Sequence, residues 1–98
     1  MKVAAIVPCY NESQRINGVV DGLRGVVDEI VVVDDGSSDD SFNKARLAGA
    51  TVIRHKFNRG YGAAIVTGFN WKSVSVISSV TGIYRFHFYM GAIIYRLL

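Results

Sequence analysis

The fold is decided by the stretch Ile30-Val31-Val32-Val33-Asp34-Asp35-Gly36-Ser37-Ser38-Asp39-Asp40. Its apolar, mostly β-branched start does not alternate with polar residues, which is typical of a strand buried on both faces in a parallel sheet. The polar residues that follow are typical of the carboxyl end of such a strand, where open α/β sheets bind ligands. Gly36 allows a turn with positive φ, and Ser37, Ser38 and Asp39 are good helix caps. The stretch predicts a strand, a ligand-facing acidic loop and a helix start, although an ordinary solvated turn fits the same residues.

Length and composition limit the class of protein. A chain of 98 residues, half of them hydrophobic, is long enough for one small domain with a core. Its single cysteine, Cys9, excludes an intrachain disulfide and indicates a reducing, cytoplasmic environment. The net charge is +3, but the basic residues are scattered, which argues against nucleic-acid binding. All eight Asp and Glu residues lie at or before Asp40, so carboxylate chemistry must use the first part of the chain.

The hydrophobic pattern predicts strands and helices in alternation. Asn11 is expected to cap the first helix, with Gln14 completing a near capping box, and Gly25 to end it. In the last predicted helix, Ile65, Val66, Phe69 and Trp71 are expected to be buried. The predicted elements are a strand at Lys2–Val7, a helix carrying Ile16, Val19, Val20 and Leu23, a strand at Asp28–Val33, a helix at Ser41–Ala48, a strand at Ala50–His55 and a helix at Ala63–Trp71.

This order predicts a parallel sheet with right-handed crossovers and helices on both faces, a three-layer α/β/α architecture. The loops after the first and second strands then lie at the same edge of the sheet. They place Pro8-Cys9-Tyr10-Asn11-Glu12 beside Asp34-Asp35-Gly36. Two polar loops that converge at strand carboxyl ends favour a binding site.

The character of the chain changes after Lys72. We therefore divide it into residues 1–72 and an apolar tail, residues 73–98. Ser73–Thr81 and Ile83–Tyr89 favour strands, and Met90–Leu98 is apolar apart from Arg96. Charged residues interrupt the tail, so it is a poor membrane span. Covering strands, or a partly disordered terminus through which copies of the chain associate, fit it better.

Several linked motifs carry a resemblance to a known family. The chain resembles the amino-terminal half of the family 2 inverting glycosyltransferases, which have the Rossmann-like GT-A fold, and the dolichyl-phosphate mannose and glucose synthases in particular. The similarity covers residues 2 to 71. The matching segments are Val7-Pro8-Cys9-Tyr10-Asn11-Glu12, Val31–Asp39, Gly49-Ala50, Asn58-Arg59-Gly60-Tyr61-Gly62-Ala63-Ala64-Ile65 and Gly68-Phe69.

The resemblance implies a site for a UDP- or GDP-sugar that includes Pro8, Tyr10 and Glu12. Tyr10 would present its ring to the base or ribose, and Glu12 would accept hydrogen bonds from ribose hydroxyls. Without the family, Glu12 is equally an acid in the first turn of a helix.

The other implied site residues follow the second and third strands. Val33 and Asp35 match positions that meet the base, and Asp34 is expected to order its loop by binding backbone N–H groups. Arg59 and Gly60 would contact the ribose or diphosphate near a helix start.

The family pattern continues into segments that have no match here. They hold an Asp-x-Asp motif for a divalent metal (Mg or Mn) and a catalytic base, whereas this sequence has no acid after Asp40. The resemblance therefore implies a truncated transferase that is inactive alone, with a polyprenyl-phosphate acceptor at a membrane surface as an inference from the subgroup. The alternatives are one part of a split transferase and a non-catalytic nucleotide-binding or association domain.

Two other kinds of site are weaker interpretations. Gly60-Tyr61-Gly62 lacks the third glycine of a dinucleotide fingerprint, because Ile65 stands in its place. Cys9 could act as a nucleophile with His55 nearby, but a structural or surface histidine is the default interpretation.

Overall fold

The computed structural model describes residues 3–71, 84–89 and 92–97. The predicted strand at 73–81 lies outside this part of the chain. The elements, in chain order, are β1 (Val3–Cys9), α1 (Ile16–Leu23), β2 (Glu29–Asp34), α2 (Ser41–Leu47), β3 (Thr51–Arg54), α3 (Tyr61–Trp71), β4 (Tyr84–Tyr89) and β5 (Ala92–Leu97).

One five-stranded sheet, in the order β3-β2-β1-β5-β4, forms the centre of the molecule. β1 pairs with β2, and β2 with β3, in parallel, as the alternation of strands and helices predicts. β5 is antiparallel to both β1 and β4. Only two residues of sequence separate β4 from β5, a spacing that suits antiparallel strands and is too short for a parallel crossover. Part of the apolar tail therefore extends the same sheet.

Helices cover both faces of this sheet, which confirms the three-layer α/β/α prediction. On one face α1 and α2 bury Val20, Leu23 and Ala45 against β-strand residues such as Val32. On the other face α3 buries Phe69 in a cluster with strand residues. β1 and β2 supply side chains to both faces, which is why their sequences are almost continuously apolar.

The start of α1 differs from the prediction. Its N-cap is Arg15, which makes no side-chain capping bond, so the proposed Asn11–Gln14 capping box is wrong. Asn11 instead has a φ of 51°, a left-handed conformation that asparagine tolerates better than most residues. Its side chain accepts a hydrogen bond from the N–H of Ser38 at 2.9 Å. A contact to a loop distant in sequence has replaced the local cap.

The buried face of α3 also differs from the prediction. Val66 and Trp71 are 47% and 58% exposed, whereas Ala64 and Gly68 are buried with Phe69. Ala64 and Gly68 are four residues apart and so lie on the same side of the helix. Their small size lets α3 approach the sheet closely, and the bulkier residues point away from it.

We expect Gly68→Ala to lower the free energy of unfolding by about 1–3 kcal/mol, the usual cost of overpacking. An added Cβ would lie 2.5 Å from Cγ2 of Ile6, a contact that requires a shift. Gly62→Ala in the same helix is the control, because a Cβ there meets nothing within 4 Å. Urea denaturation should show Gly62→Ala unchanged or slightly more stable; equal stability of the two variants would contradict the close helix–sheet approach.

Candidate functional site

The loops that follow β1 and β2 begin side by side. In the register of these parallel strands, Cys9 lies opposite Asp34, and the N–H of Asp35 donates to the carbonyl of Cys9 at 2.8 Å. The convergence of the two polar loops, predicted from the order of elements, is confirmed.

Side chains of the second loop hold the backbone of the first. The N–H groups after Tyr10 have no partners in a strand or helix, and hydroxyl and carboxylate oxygens of the second loop accept their hydrogen bonds. These bonds give partners to backbone donors that the strands and helices leave unpaired. The bonds are Asn11 N–H to Ser37 Oγ (2.9 Å), Glu12 N–H to Ser41 Oγ (2.9 Å) and Ser13 N–H to Asp39 Oδ2 (3.2 Å).

Asp39 also contacts the start of α2. Its Oδ1 accepts hydrogen bonds from the N–H and the hydroxyl of Ser41, at 3.0 and 2.5 Å. The hydroxyl bond of Ser41 is the main reason that the pKa of Asp39 falls to about 2, although desolvation opposes it. Asp39 is therefore a charged acceptor at neutral pH that joins the helix start to the first loop.

Asp35 is the central carboxylate of the site. Its side chain is buried, with 4% of the residue exposed. Oδ1 accepts hydrogen bonds from the N–H of Arg59 (2.9 Å) and from Nδ1 of His55 (2.7 Å), and Oδ2 accepts one from the N–H of Gly60 (2.9 Å). Burial alone would raise the pKa of Asp35, but the bonds from His55, Arg59 and Gly60 lower it below its usual value. Asp35 is therefore ionised and fixed.

His55 is buried beneath this carboxylate, and sequence reasoning missed its role. Because an ionised Asp35 can only accept, Nδ1 of His55 must carry the proton of their bond. Nε2 lies 2.8 Å from the hydroxyl of Thr67 on α3. The strand register provides the signal that was overlooked: Asp34 pairs with Arg54, so the next residues along both strands are neighbours.

Asp34 does not play the role expected for it. Within the described residues, the side chain of Asp34 accepts no hydrogen bond from a backbone N–H, so that expectation was wrong. The backbone N–H groups of the loop after β3, the third loop, bind Asp35 instead. Asp34 is fully buried, accepts a hydrogen bond from the hydroxyl of Ser37 and lies 3.5 Å from Nε of Arg54. The guanidinium of Arg54 in turn lies over the ring of Phe42, 5.0 Å from its centroid. Asp34 therefore stabilises the loop through side chains.

A cleft of about 280 Å³ lies at the strand ends beside Asp35. Of the predicted site residues, Pro8, Tyr10, Glu12, Asp35 and Gly60 line it, and Val33, Asp34 and Arg59 do not. Val33 is fully buried in the cluster beneath α3. The remaining lining residues are Cys9, Asn58, Tyr61 and Ala64.

Two tyrosines and a glutamate give this cleft its exposed polar and aromatic groups. Tyr10 and Tyr61 are 48% and 56% exposed, so their rings are accessible to a flat ligand. Glu12 lies 3.4 Å from Nε of Arg15 and precedes α1, which has no acid in its first turn. The interpretation of Glu12 as a first-turn helix acid is therefore wrong, and its carboxylate lines the cleft.

Other grooves of similar volume lack this combination. One of about 310 Å³ is lined by Asp21, Arg24 and Lys44 together with other residues in or beside α1 and α2, and by no residue of the strand-end loops. The cleft beside Asp35 combines convergent polar groups with a carboxyl whose pKa is shifted, which is the usual mark of a functional site.

Cys9 lines the cleft but is a poor nucleophile. The residue is 2% exposed, and burial raises the pKa of its thiol to about 11. The reactive thiolate is therefore scarce at neutral pH. His55 binds Asp35 and Thr67, so it does not activate this thiol.

The fold and the position of the cleft define the class of protein: they are those of GT-A glycosyltransferases. The sequence profile of Glycosyl transferase family 2 matches residues 4–77, and the chain belongs to this family. The resemblance seen in the motifs is thereby confirmed.

Relatives with assigned names act on polyprenyl phosphates. The chain is 36% identical to a dolichol-phosphate mannosyltransferase of Pyrococcus furiosus over an alignment of 84 positions, which covers 78% of this chain and 24% of that protein. It is 34% identical to an undecaprenyl-phosphate 4-deoxy-4-formamido-L-arabinose transferase of Serratia proteamaculans, over 78% of this chain and 27% of that protein. The chain thus spans about a quarter of the length of these relatives.

Solved structures show the same fold. Glucosyl-3-phosphoglycerate synthase from Mycobacterium tuberculosis, in complex with Mn²⁺, UDP and glucosyl-3-phosphoglycerate, superposes with a TM-score of 0.56 at 28% identity. The match covers 81% of this chain and 29% of that enzyme. The same enzyme has also been solved with Mg²⁺ and UDP. These structures support a divalent metal for the family.

The described side chains do not fit such a metal. Within residues 3–71, 84–89 and 92–97, no group of three His, Cys, Asp or Glu side chains is placed to hold an ion. The carboxylates that line the cleft are those of Glu12 and Asp35, and Asp35 already accepts three hydrogen bonds. In the same part of the chain, no helix is long and apolar enough to cross a membrane.

We expect Gly36→Ala to destabilise the protein more than Gly60→Ala does. Both glycines have positive φ, 76° and 99°, so each substitution introduces strain of about 1–2 kcal/mol. Only at Gly36 would the new Cβ also meet backbone, 2.5 Å from the carbonyl carbon of Phe57; at Gly60 it meets nothing within 4 Å. Urea denaturation measures the difference, and equal losses would argue against the tight contact between the second and third loops.

Proposed function

We propose that this chain binds a nucleoside-diphosphate sugar in the cleft beside Asp35, as the donor-binding part of a family 2 glycosyltransferase. The observation that carries the proposal is the bonding of Asp35, which brings the loops after β1, β2 and β3 to one cleft. Membership of the family and solved neighbours that hold UDP support the same ligand class.

The nucleoside would lie against the first two loops. Tyr10 offers an exposed ring for stacking on the base or ribose, and the carboxylate of Glu12 can accept hydrogen bonds from ribose hydroxyls. Asp35 can accept an N–H of the base at the inner end of the cleft. Val33 does not line the cleft and its side chain is fully buried, so we do not expect it to contact the base.

The diphosphate would lie near the start of α3. This helix begins at Tyr61, directly after Arg59 and Gly60, and its first N–H groups have no partners within the helix. Such a helix start favours phosphate, and the guanidinium of Arg59 adds a positive charge nearby.

We further propose that sugar transfer requires carboxylates from outside these 98 residues. The cleft offers no carboxylate set for a metal, and the sequence has no Asp or Glu after position 40 to serve as the family's later acids. A longer polypeptide or a second chain would supply them. The names of the relatives favour a polyprenyl-phosphate acceptor, which would bring the protein to a membrane surface.

The boundary at residue 72 and association through the apolar tail remain predictions. β5 pairs with β1, so part of the tail already contributes to the sheet that carries the site. Light scattering tests the association: a strictly monomeric chain would argue that the whole tail packs on this sheet.

Calorimetric titration with UDP and UDP-glucose, then GDP and GDP-mannose, tests donor binding. We expect Tyr10→Ala to raise the dissociation constant for the nucleotide about tenfold, because stacking of a base on an aromatic ring contributes about 1–3 kcal/mol. Trp71→Ala is the matched control: it removes another exposed aromatic ring, which does not line the cleft, and should leave binding unchanged.

Two results would count against this function. If the folded protein binds none of these nucleotides, the chain is an association domain that has the glycosyltransferase sheet without its nucleotide site. If Trp71→Ala weakens binding as much as Tyr10→Ala, the nucleotide lies elsewhere on the surface.

A further inference from the structure

The acceptor capacity of Asp35 is nearly used up by the protein itself. An ionised carboxylate offers about four lone-pair positions, two on each oxygen. His55 and the N–H of Arg59 take both positions on Oδ1, and the N–H of Gly60 takes one on Oδ2. Among the donors of residues 3–71, 84–89 and 92–97, none takes the second position on Oδ2, which is left for a ligand in the cleft that Asp35 lines.

Uracil and guanine, the bases of the two donor classes, differ in the number of N–H groups that they can donate to a carboxylate. Guanine presents two adjacent donors, its ring N1–H and its 2-amino group, and pairing both requires a free position on each carboxylate oxygen. Uracil presents a single donor, N3–H, which one position satisfies. Cytosine carries an unprotonated, accepting N3 at the same place and would face the negative charge of Asp35.

We propose that His55, by occupying Oδ1 of Asp35, makes the cleft selective for uracil over guanine, so that the donor is a uridine diphosphate sugar. This inference rests on the proposed function and decides between the two donor classes that the family leaves open. A guanine bound here would leave one buried N–H unpaired, which corresponds to a loss of about tenfold or more in affinity.

His55 is suited to this role because its own position is fixed from both sides. Nδ1 lies 2.7 Å from Asp35 and Nε2 lies 2.8 Å from the hydroxyl of Thr67 on α3. The residue is 7% exposed, and its backbone N–H donates to the carbonyl of Asp34 at 2.9 Å. His55 is therefore a positioning residue: it orients the carboxylate and does not contact the base.

Titration of the wild-type chain with UDP, CDP, GDP and IDP tests the proposal. UDP should bind about tenfold or more tighter than GDP and than CDP. The comparison with CDP isolates the N3–H donor in two bases of equal size. IDP should bind tighter than GDP, because hypoxanthine keeps N1–H and lacks the 2-amino group.

Equal binding of UDP and CDP, or of GDP and IDP, would overturn the selectivity while leaving the nucleotide site in place. Binding of none of the four would instead refute the proposed function itself.

Variants of His55 test its part in the selectivity. His55→Ala should lower the ratio of GDP to IDP dissociation constants, since it frees a position on Oδ1 of Asp35 for the 2-amino group of guanine. His55→Asn carries an amide N–H in the region of Nδ1 and should keep most of the wild-type ratio. A general loss of stability would weaken both nucleotides alike and leave the ratio unchanged, so an unchanged ratio in folded His55→Ala would refute the role of His55.

Discussion

A buried charge dictates the geometry of this site. A carboxylate removed from water is costly unless donors replace its hydration, so Asp35 requires partners at its buried position. The third loop provides two backbone N–H groups, at Arg59 and Gly60, and β3 provides the imidazole of His55. One side chain thus fixes the end of β3, the start of α3 and the inner wall of the cleft together.

The same principle holds the first loop in place, through two hydroxyls and a second carboxylate. Its N–H groups have no sheet or helix partner, and Ser37, Ser41 and Asp39 of the neighbouring loop accept their hydrogen bonds. These hydrogen bonds between the two loops can form because β1 and β2 are parallel and in a register that places Cys9 beside Asp34. Of the polar residues after β2, Asp35 therefore lines the cleft, and Ser37, Asp39 and Ser41 stabilise the loop that forms its other wall.

The sequence was sufficient to predict the parallel strands, the helices and the convergence of the first two loops. Each of these follows from the local hydrophobic pattern and the rules for connecting parallel strands. It was insufficient where a contact depends on tertiary packing. The role of His55 depends on the pairing of β2 with β3, and the exposure of Val66 and Trp71 depends on how closely α3 approaches the sheet. Asn11 shows the same effect, since its side chain accepts a hydrogen bond from the backbone N–H of the distant Ser38 and does not cap the first helix.

Nuclear magnetic resonance of the ¹⁵N-labelled chain during titration with UDP tests the central claim most directly. If three loops form one nucleotide site, the backbone N–H signals of Glu12, Asp35 and Gly60 should shift together and saturate at one dissociation constant. Signals of Val26 and Asp28, before β2 at the other end of the sheet, should stay in place. Shifts confined to one loop, or centred on Val26 and Asp28, would contradict the account.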